Sequence, residues 1–237
     1  MSVAPESGAG RGNGRQRRRQ LPEEVAAYVR GLIISGAVKP GEFLRMEPIA
    51  EAVGVSNTPV REGLLALRSD GFVRLAPRRG FVVAPFSSED VHDLFWAQAK
   101  LAGELSARAA QRMTRERLER IVALHEAHLK ATEAGDAERS SELGHEFHRE
   151  INKAAQSYRL AALLKSIVQQ VPPEFYVGIP GRLASAGKPH GELVTAMRKG
   201  DAERAQSVME QHVLEGAKFL NARLVEVGVF AVTQGAS

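Results

Sequence analysis

Apolar residues recur at helical spacing through most of this chain, and the places where the rhythm breaks divide it into segments. Over Leu21–Ser35, Val25, Tyr28, Val29, Leu32 and Ile33 fall on one side of a predicted helix, which Gly36 stops. Lys39-Pro40-Gly41 reads as a turn, followed by a short helix over Met46–Val53 with Ile49, Ala50 and Val53 on one face. Gly54 interrupts. Ser56, Asn57 and Thr58 are capping types and Pro59 suits a first turn, so a new helix begins there, with Val60, Leu64 and Leu67 as its buried stripe. It ends near Asp70-Gly71. Two short β-prone runs follow, Phe72–Leu75 and Phe81–Ala84, joined by Pro77-Arg78-Arg79-Gly80 as a hairpin with a basic tip.

From Ser87 onward the pattern is helical throughout, with predicted helices near 88–112, 115–133, 136–156, 158–171, 189–199 and 201–226 and a loop over 172–188. Gly-Asp-Ala-Glu-Arg occurs at 135–139 and again at 200–204. In both, Gly suits the position after one helix and Asp caps the next, which makes each a tight helix-to-helix turn. The predicted fold is mainly α: a disordered basic tail over 1–20, a winged helix-turn-helix over 21–85, an all-α antiparallel bundle over 86–228 and a C-terminal tail over 229–237.

Composition adds three constraints. At 237 residues the chain can bury two modest cores, and it contains no apolar run near the length of a membrane span. Cysteine is absent, which excludes disulfide and thiolate chemistry and fits a reducing cytoplasm. Charge is uneven: residues 1–85 hold 13 Lys+Arg against 8 Asp+Glu, while the remainder holds 19 against 20. A basic front and a near-neutral rear point to a polyanion met only by the front; the alternative is a basic tail that serves solubility alone.

Two helices joined at Gly54 and followed by a hairpin place the second helix as a recognition helix. Asn57, Thr58 and Arg61 lie off its apolar stripe, and Arg61 can fork onto guanine or phosphate. Ser56 and the helix N-terminus suit a phosphate oxygen. Arg78, Arg79 and Gly80 would enter the adjacent minor groove. The run from Val38-Lys39-Pro40-Gly41 through Gly54-Val55-Ser56-Asn57-Thr58-Pro59-Val60-Arg61-Glu62 to Arg79-Gly80-Phe81-Val82-Val83 resembles the GntR family of bacterial regulators. The resemblance implies DNA contacts by Thr58, Arg61, Gly80 and position 57. That position is usually Arg in the family and is Asn57 here, a change that favours adenine over guanine.

All seven histidines lie in the rear half. His190 and His212 flank the Gly200-Asp201 turn at 10 and 11 residues, which in antiparallel helices puts them at one level. Each lies on an apolar stripe, and His148 borders that of Leu143, Phe147 and Ile151. Three imidazoles aimed into a bundle core can hold a divalent ion, while any one of them alone reads as a hydrogen-bonded core residue. His125 and His145 are symmetric about the Gly135 turn, so symmetry alone does not select ligands. His92 and His128 read as surface residues.

Phe147-His148-Arg149-Glu150-Ile151, the His190, Leu193, Val194 and Ala196 pattern, Gly200-Asp201, Ala205, Met209 and His212 resemble the FCD effector domain of the FadR subfamily. That resemblance implies six or seven antiparallel helices, a metal (zinc, nickel or manganese) held by an acidic residue and three His, and a pocket for a small carboxylate. The three His carry over to His148, His190 and His212. The acidic position is Gly144. The site is then a three-His centre completed by water or effector, or is rescued by a neighbour such as His145, or holds no metal. Where many members carry an effector-binding Arg, this chain has Gln98, on the stripe of Val91, Leu94, Leu101 and Leu105. It either lines a pocket or sits at the helix edge.

The sequence thus predicts a cytoplasmic, ligand-responsive transcriptional regulator, expected to repress, binding a palindromic double-stranded DNA operator as a homodimer. Its partner in the bundle is a small-molecule effector, a carboxylic acid by resemblance; no membrane is involved. Two alternatives come from other classes. One is a metal-dependent enzyme on a helical bundle, for which neither Glu146 nor Glu150 is evidently placed as the base. The other is a constitutive DNA-binding protein with a vestigial pocket.

Overall fold

The computed structural model describes residues 11–170, 182–228 and 230. The chain divides between Phe86 and Ser87 into two compact units, the second ending at Val227.

In the first unit, α1 (Arg11–Ile34), α2 (Met46–Val53) and α3 (Asn57–Ser69) accompany a three-stranded sheet of β1 (Phe43–Leu44), β2 (Val73–Ala76) and β3 (Gly80–Val83). Strand order is β1-β3-β2, antiparallel, with Leu44 opposite Phe81 and Val73 opposite Val83. β1 is two residues long, too short to leave a period in the sequence, and only its pairing partner reveals it. The core is Val25, Val29, Ile33, Val60, Leu64, Leu67, Val73 and Val83, each at most 1% exposed. Gly54 adopts φ 71°, a conformation cheap only for glycine, and its N–H closes on the carbonyls of Ala50 and Glu51. That reversal sets the start of α3. Arg30 of α1 bonds Asp70 at 3.1 Å and lies over the Phe72 ring, tying the first helix to the end of the third.

The expectation of a disordered tail needs correction over 11–20, which is helical. Arginine and glutamine propagate a helix readily once the turns of Val25–Ile34 are anchored, so the helix extends backward past the apolar stripe. Residues 1–10 lie outside the described residues.

The second unit has, among the described residues, six helices: α4 (Ser88–Gln111), α5 (Arg115–Glu133), α6 (Ala137–Ala154), α7 (Tyr158–Val168), α8 (Arg182–Lys199) and α9 (Ala202–Glu226). Four of them start at a side-chain cap, that of α5 being Thr114. Ser87 and Asp90 form a reciprocal capping box for α4. Asp136 and Asp201 accept the N–H of Arg139 and Arg204, each just after a glycine with positive φ, so the two copies of the pentapeptide make equivalent turns. Small residues on α4, including Ala99, Ala102, Gly103, Ser106 and Ala110, let α9 approach closely; a Cβ on Gly103 would meet Glu210 at 2.6 Å.

The predicted loop over 172–188 is helical from residue 182 on. α8 begins at Arg182, and Pro189 sits inside it. Proline removes one backbone bond, and the helix carries through because His190, Leu193 and Val194 directly after it are buried. Residues 171–181, and the predicted C-terminal tail apart from Phe230, lie outside the described residues. Among the described residues, no helix is long and apolar enough to cross a membrane.

Candidate functional site

The first unit presents its polar motif outward. Ser56, Asn57, Thr58 and Arg61 are exposed on the first turn of α3, opposite the buried Val60, Gly63, Leu64 and Leu67. Ser56 occupies the N-cap but its side chain accepts no bond from the helix, leaving that hydroxyl and the helix's amino end open at the surface. At the wing, Arg78, Arg79 and Gly80 are exposed between β2 and β3. Arg78 has φ 62°, and the Arg79 guanidinium stacks 4.3 Å from the centroid of Phe43 on β1. The two-residue strand β1 thereby braces one of the two basic wing residues, a contact no local sequence pattern predicts.

In the second unit, His148 of α6, His190 of α8 and His212 of α9 converge. His148 Nε2 lies 3.3 Å from both His190 Nε2 and His212 Nε2. The three donor atoms fall within 4.8 Å of one another. Phe147 stacks on the His190 ring at 4.3 Å and fixes its plane, and the His148 and His212 rings lie nearly parallel at 5.2 Å. The cluster opens on a cavity of about 300 Å³ bordered by Ser140, Gly144, His145, Lys188, Gln211 and Phe219 among others.

The donor set fits a divalent ion. Two nitrogens bound to one ion at about 2.0–2.1 Å and a tetrahedral angle stand roughly 3.3 Å apart. Burial, followed by the neighbouring imidazoles of His148, His212, His128 and His125, holds His190 well below its ordinary pKa. A neutral ring keeps the lone pair that a metal requires. His190 Nδ1 is buried without a hydrogen-bond partner among the described residues, so the ring's polar contact is made at Nε2, toward His148.

One expectation about a neighbouring residue changes. His128, read as a surface residue, is 1% exposed and lines the cavity. Its burial follows from the face of α5 that packs on α6 and α8; Ile121, His125, His128 and Thr132 lie at spacings of four, three and four, a helical stripe that carries little hydrophobic signal because two of its members are histidines. Burial lowers the pKa of His128, with His125 adding to the effect, and lowers that of His125 against the pull of Glu126. Gln98 is half-buried on α4 and is not among the residues bordering the cavity. His145 borders it from an exposed position.

The two glutamates that flank His148 are engaged elsewhere. Glu150 is buried against Lys153 at 2.7 Å and Arg120 at 3.5 Å, and Glu146 pairs with Arg149 at 3.4 Å.

Comparison with known proteins agrees with this division. Residues 93–215 match the FCD domain, and residues 21–83 match the bacterial regulatory proteins of the gntR family. The chain is similar to the HTH-type transcriptional regulator McbR of Escherichia coli, 25% identical over 210 residues that cover 85% of this chain and 95% of McbR. It is also similar to an HTH-type transcriptional regulator of Mycobacterium tuberculosis, 26% identical over 156 residues; there the match covers 65% of this chain but only 62% of the relative. Among solved structures, E. coli McbR/YncC superposes with a TM-score of 0.66 at 24% identity, covering 85% of this chain and 97% of that one, a likeness of fold. The relatives and both domain families are transcriptional regulators, not enzymes.

Proposed function

The chain belongs to the GntR family of bacterial transcriptional regulators, in the branch that carries an FCD domain, and from that premise we propose that it is a ligand-responsive repressor acting as a homodimer on a palindromic operator. The observation that carries the ligand-responsive part is the cavity beside three imidazole nitrogens at 3.3 Å spacing. A chain that only bound DNA would have no reason to gather three imidazoles, one buried and two half-buried, at the edge of a cavity.

On the DNA side, Arg61 and Asn57 would read base edges from the first turn of α3. Ser56 and Thr58 would hold phosphate, and Arg78, Arg79 and Gly80 would follow the minor groove. The exposure of all seven supports this reading. On the effector side, His148, His190 and His212 would hold a divalent ion, with zinc or nickel better matched to imidazole than manganese. When bound, the ion supplies a positive centre to which a carboxylate can attach. The chain's own residues do the rest: Phe147 orients His190, and Lys188 at the exposed rim adds a second positive group for an acid. Gln98 is better placed to contribute to packing than to touch the effector. Effector binding then shifts the population between arrangements of the two DNA-reading modules, of which one matches successive major grooves. Repression is the sign that needs no further contact, since a dimer seated on a promoter excludes polymerase by its bulk.

The test is selection of duplexes from a random pool by the full chain, followed by binding measurements on the enriched site with zinc and a panel of small carboxylic acids. A palindromic site whose affinity changes at least about fivefold with one of the acids supports the reading, since allosteric couplings typically reach that size. Equal affinity across the panel, with and without metal, supports instead a constitutive DNA-binding protein.

A further inference from the structure

Gly144 leaves the α6 side of the triad without a side chain, and that space is bordered from another helix. A Cβ built on Gly144 would lie 3.6 Å from His128 Cδ2, 3.7 Å from His128 Nε2 and 4.0 Å from His190 Cε1. The Nε2 edge of His128 therefore faces the point from which a ligand at position 144 would start. The His128 ring centroid is 5.0 Å from that of His190, the same separation that His190 keeps from His148 and from His212. His190 is thus surrounded by three imidazoles at one spacing, and two of the three already belong to the triad.

His128 also lacks the partner a structural histidine has. It is 1% exposed, and its Nδ1 is buried without a hydrogen bond among the described residues. Buried polar atoms are nearly always paired in folded proteins, and one that is not calls for an explanation. His145, the other histidine near Gly144, borders the cavity from an exposed position, whereas His128 is buried beside the position itself.

We propose that His128 is a fourth protein ligand of the divalent ion, supplied by α5 in place of the side chain that Gly144 lacks. This rests on the three-His metal reading above. Because glycine has no Cβ, no side chain at position 144 stands beside the His128 ring; its nitrogens lie outside the 4.8 Å grouping of the other three, so a turn of that ring would complete the set when the ion binds. The exchange has a chemical consequence. A carboxylate would cancel one unit of the ion's charge and suit harder cations, whereas a fourth imidazole leaves the full double charge and favours zinc, nickel or copper over manganese. An all-imidazole centre is therefore the more attractive one for an anionic effector, and the more selective among metals.

Zinc titration of the full chain, stripped with chelator and carrying ¹⁵N in its histidine rings, tests this directly. The ring nitrogens of His128, His148, His190 and His212 are expected to shift with the first equivalent of zinc, while His92 does not. Because this measurement uses the unaltered protein, it does not depend on a variant folding. If the triad shifts and His128 does not, the inference is overturned and the three-His centre stands. If no ring shifts and no zinc is taken up, both are overturned. Competition with a zinc indicator supplies the second arm. His128→Ala is expected to lose at least about tenfold in zinc affinity. Adding Gly144→Asp to His128→Ala is expected to recover it and to raise manganese affinity relative to zinc. Unchanged zinc affinity in folded His128→Ala, judged by its circular dichroism, would refute the fourth ligand.

Discussion

Arg61 is exposed one turn into α3 while Val60 beside it is fully buried, so one backbone segment both anchors the helix and presents the guanidinium. Arg61→Ala should therefore leave thermal stability nearly unchanged and weaken operator binding by about 1–3 kcal/mol, measured by fluorescence anisotropy on the selected duplex. If Arg61 meets guanine, the loss will be concentrated at one base pair; if it meets phosphate, the loss will be uniform and the salt slope will drop by about one. Asn57→Arg should shift preference at its position from adenine toward guanine. A titration argument belongs at the same scale. His190 has an ordinary pKa of 6.5 when unfolded and a much lower one when folded. As pH falls through about 6.5 the unfolded chain takes up a proton that the folded chain refuses, so stability is full above that value and declines below it. In the presence of chelator, the melting temperature should drop between about pH 7.5 and pH 5.5, and His190→Gln should flatten part of that drop. A melting temperature that holds steady over this range would show that the ring takes up its proton in the fold as it does in the unfolded chain.

At the scale of elements, close crossings depend on residues that offer no side chain. α1 and α3 approach so tightly that a Cβ on Gly63 would lie 2.8 Å from the Pro22 carbonyl oxygen and 2.8 Å from Val25 Cγ1. The first of these is backbone and cannot swing away. Gly63→Ala, which would ordinarily favour a helix, should here destabilise by about 1–3 kcal/mol, seen as a lower denaturant midpoint. The Asp caps of the two repeated turns have a different reach. Asp201→Ala removes the acceptor for the Arg204 N–H and should cost about 1 kcal/mol of stability. It should leave zinc uptake intact, because His212 lies three turns further along α9.

For the whole molecule, the basic charge of residues 1–85 and the near-neutral remainder predict that DNA binding weakens steeply with salt while effector binding does not. A palindromic site further requires two copies of the chain. Light scattering at micromolar concentration is expected to give twice the mass of one chain, and a monomer that binds a single half-site would overturn the dimer proposal. Zinc should raise the melting temperature of the wild-type chain and leave that of His148→Ala nearly unmoved, since an ion that binds only the folded form stabilises it by mass action.

What the chain decides by itself is whatever depends on neighbours in sequence. Helical periodicity placed α4 through α7 and α9 within a few residues, the paired Gly-Asp turns fixed where helices reverse, and the Ser56 to Arg61 run marked the start of α3. His148, His190 and His212 were legible because each lies on an apolar stripe and the Gly200 turn brings two of them level. Tertiary structure decided what depends on distant partners. β1 exists only because β3 lies beside it, and Arg79 is braced only because β1 brings Phe43 under it. α1 extends through an arginine-rich stretch, and α8 through a proline, because turns further along are anchored by packing. The sequence showed that Gly144 lacks a side chain. That His128, sixteen residues earlier and on another helix, borders the resulting space is a fact of how α5 packs on α6, which no single stretch of sequence contains.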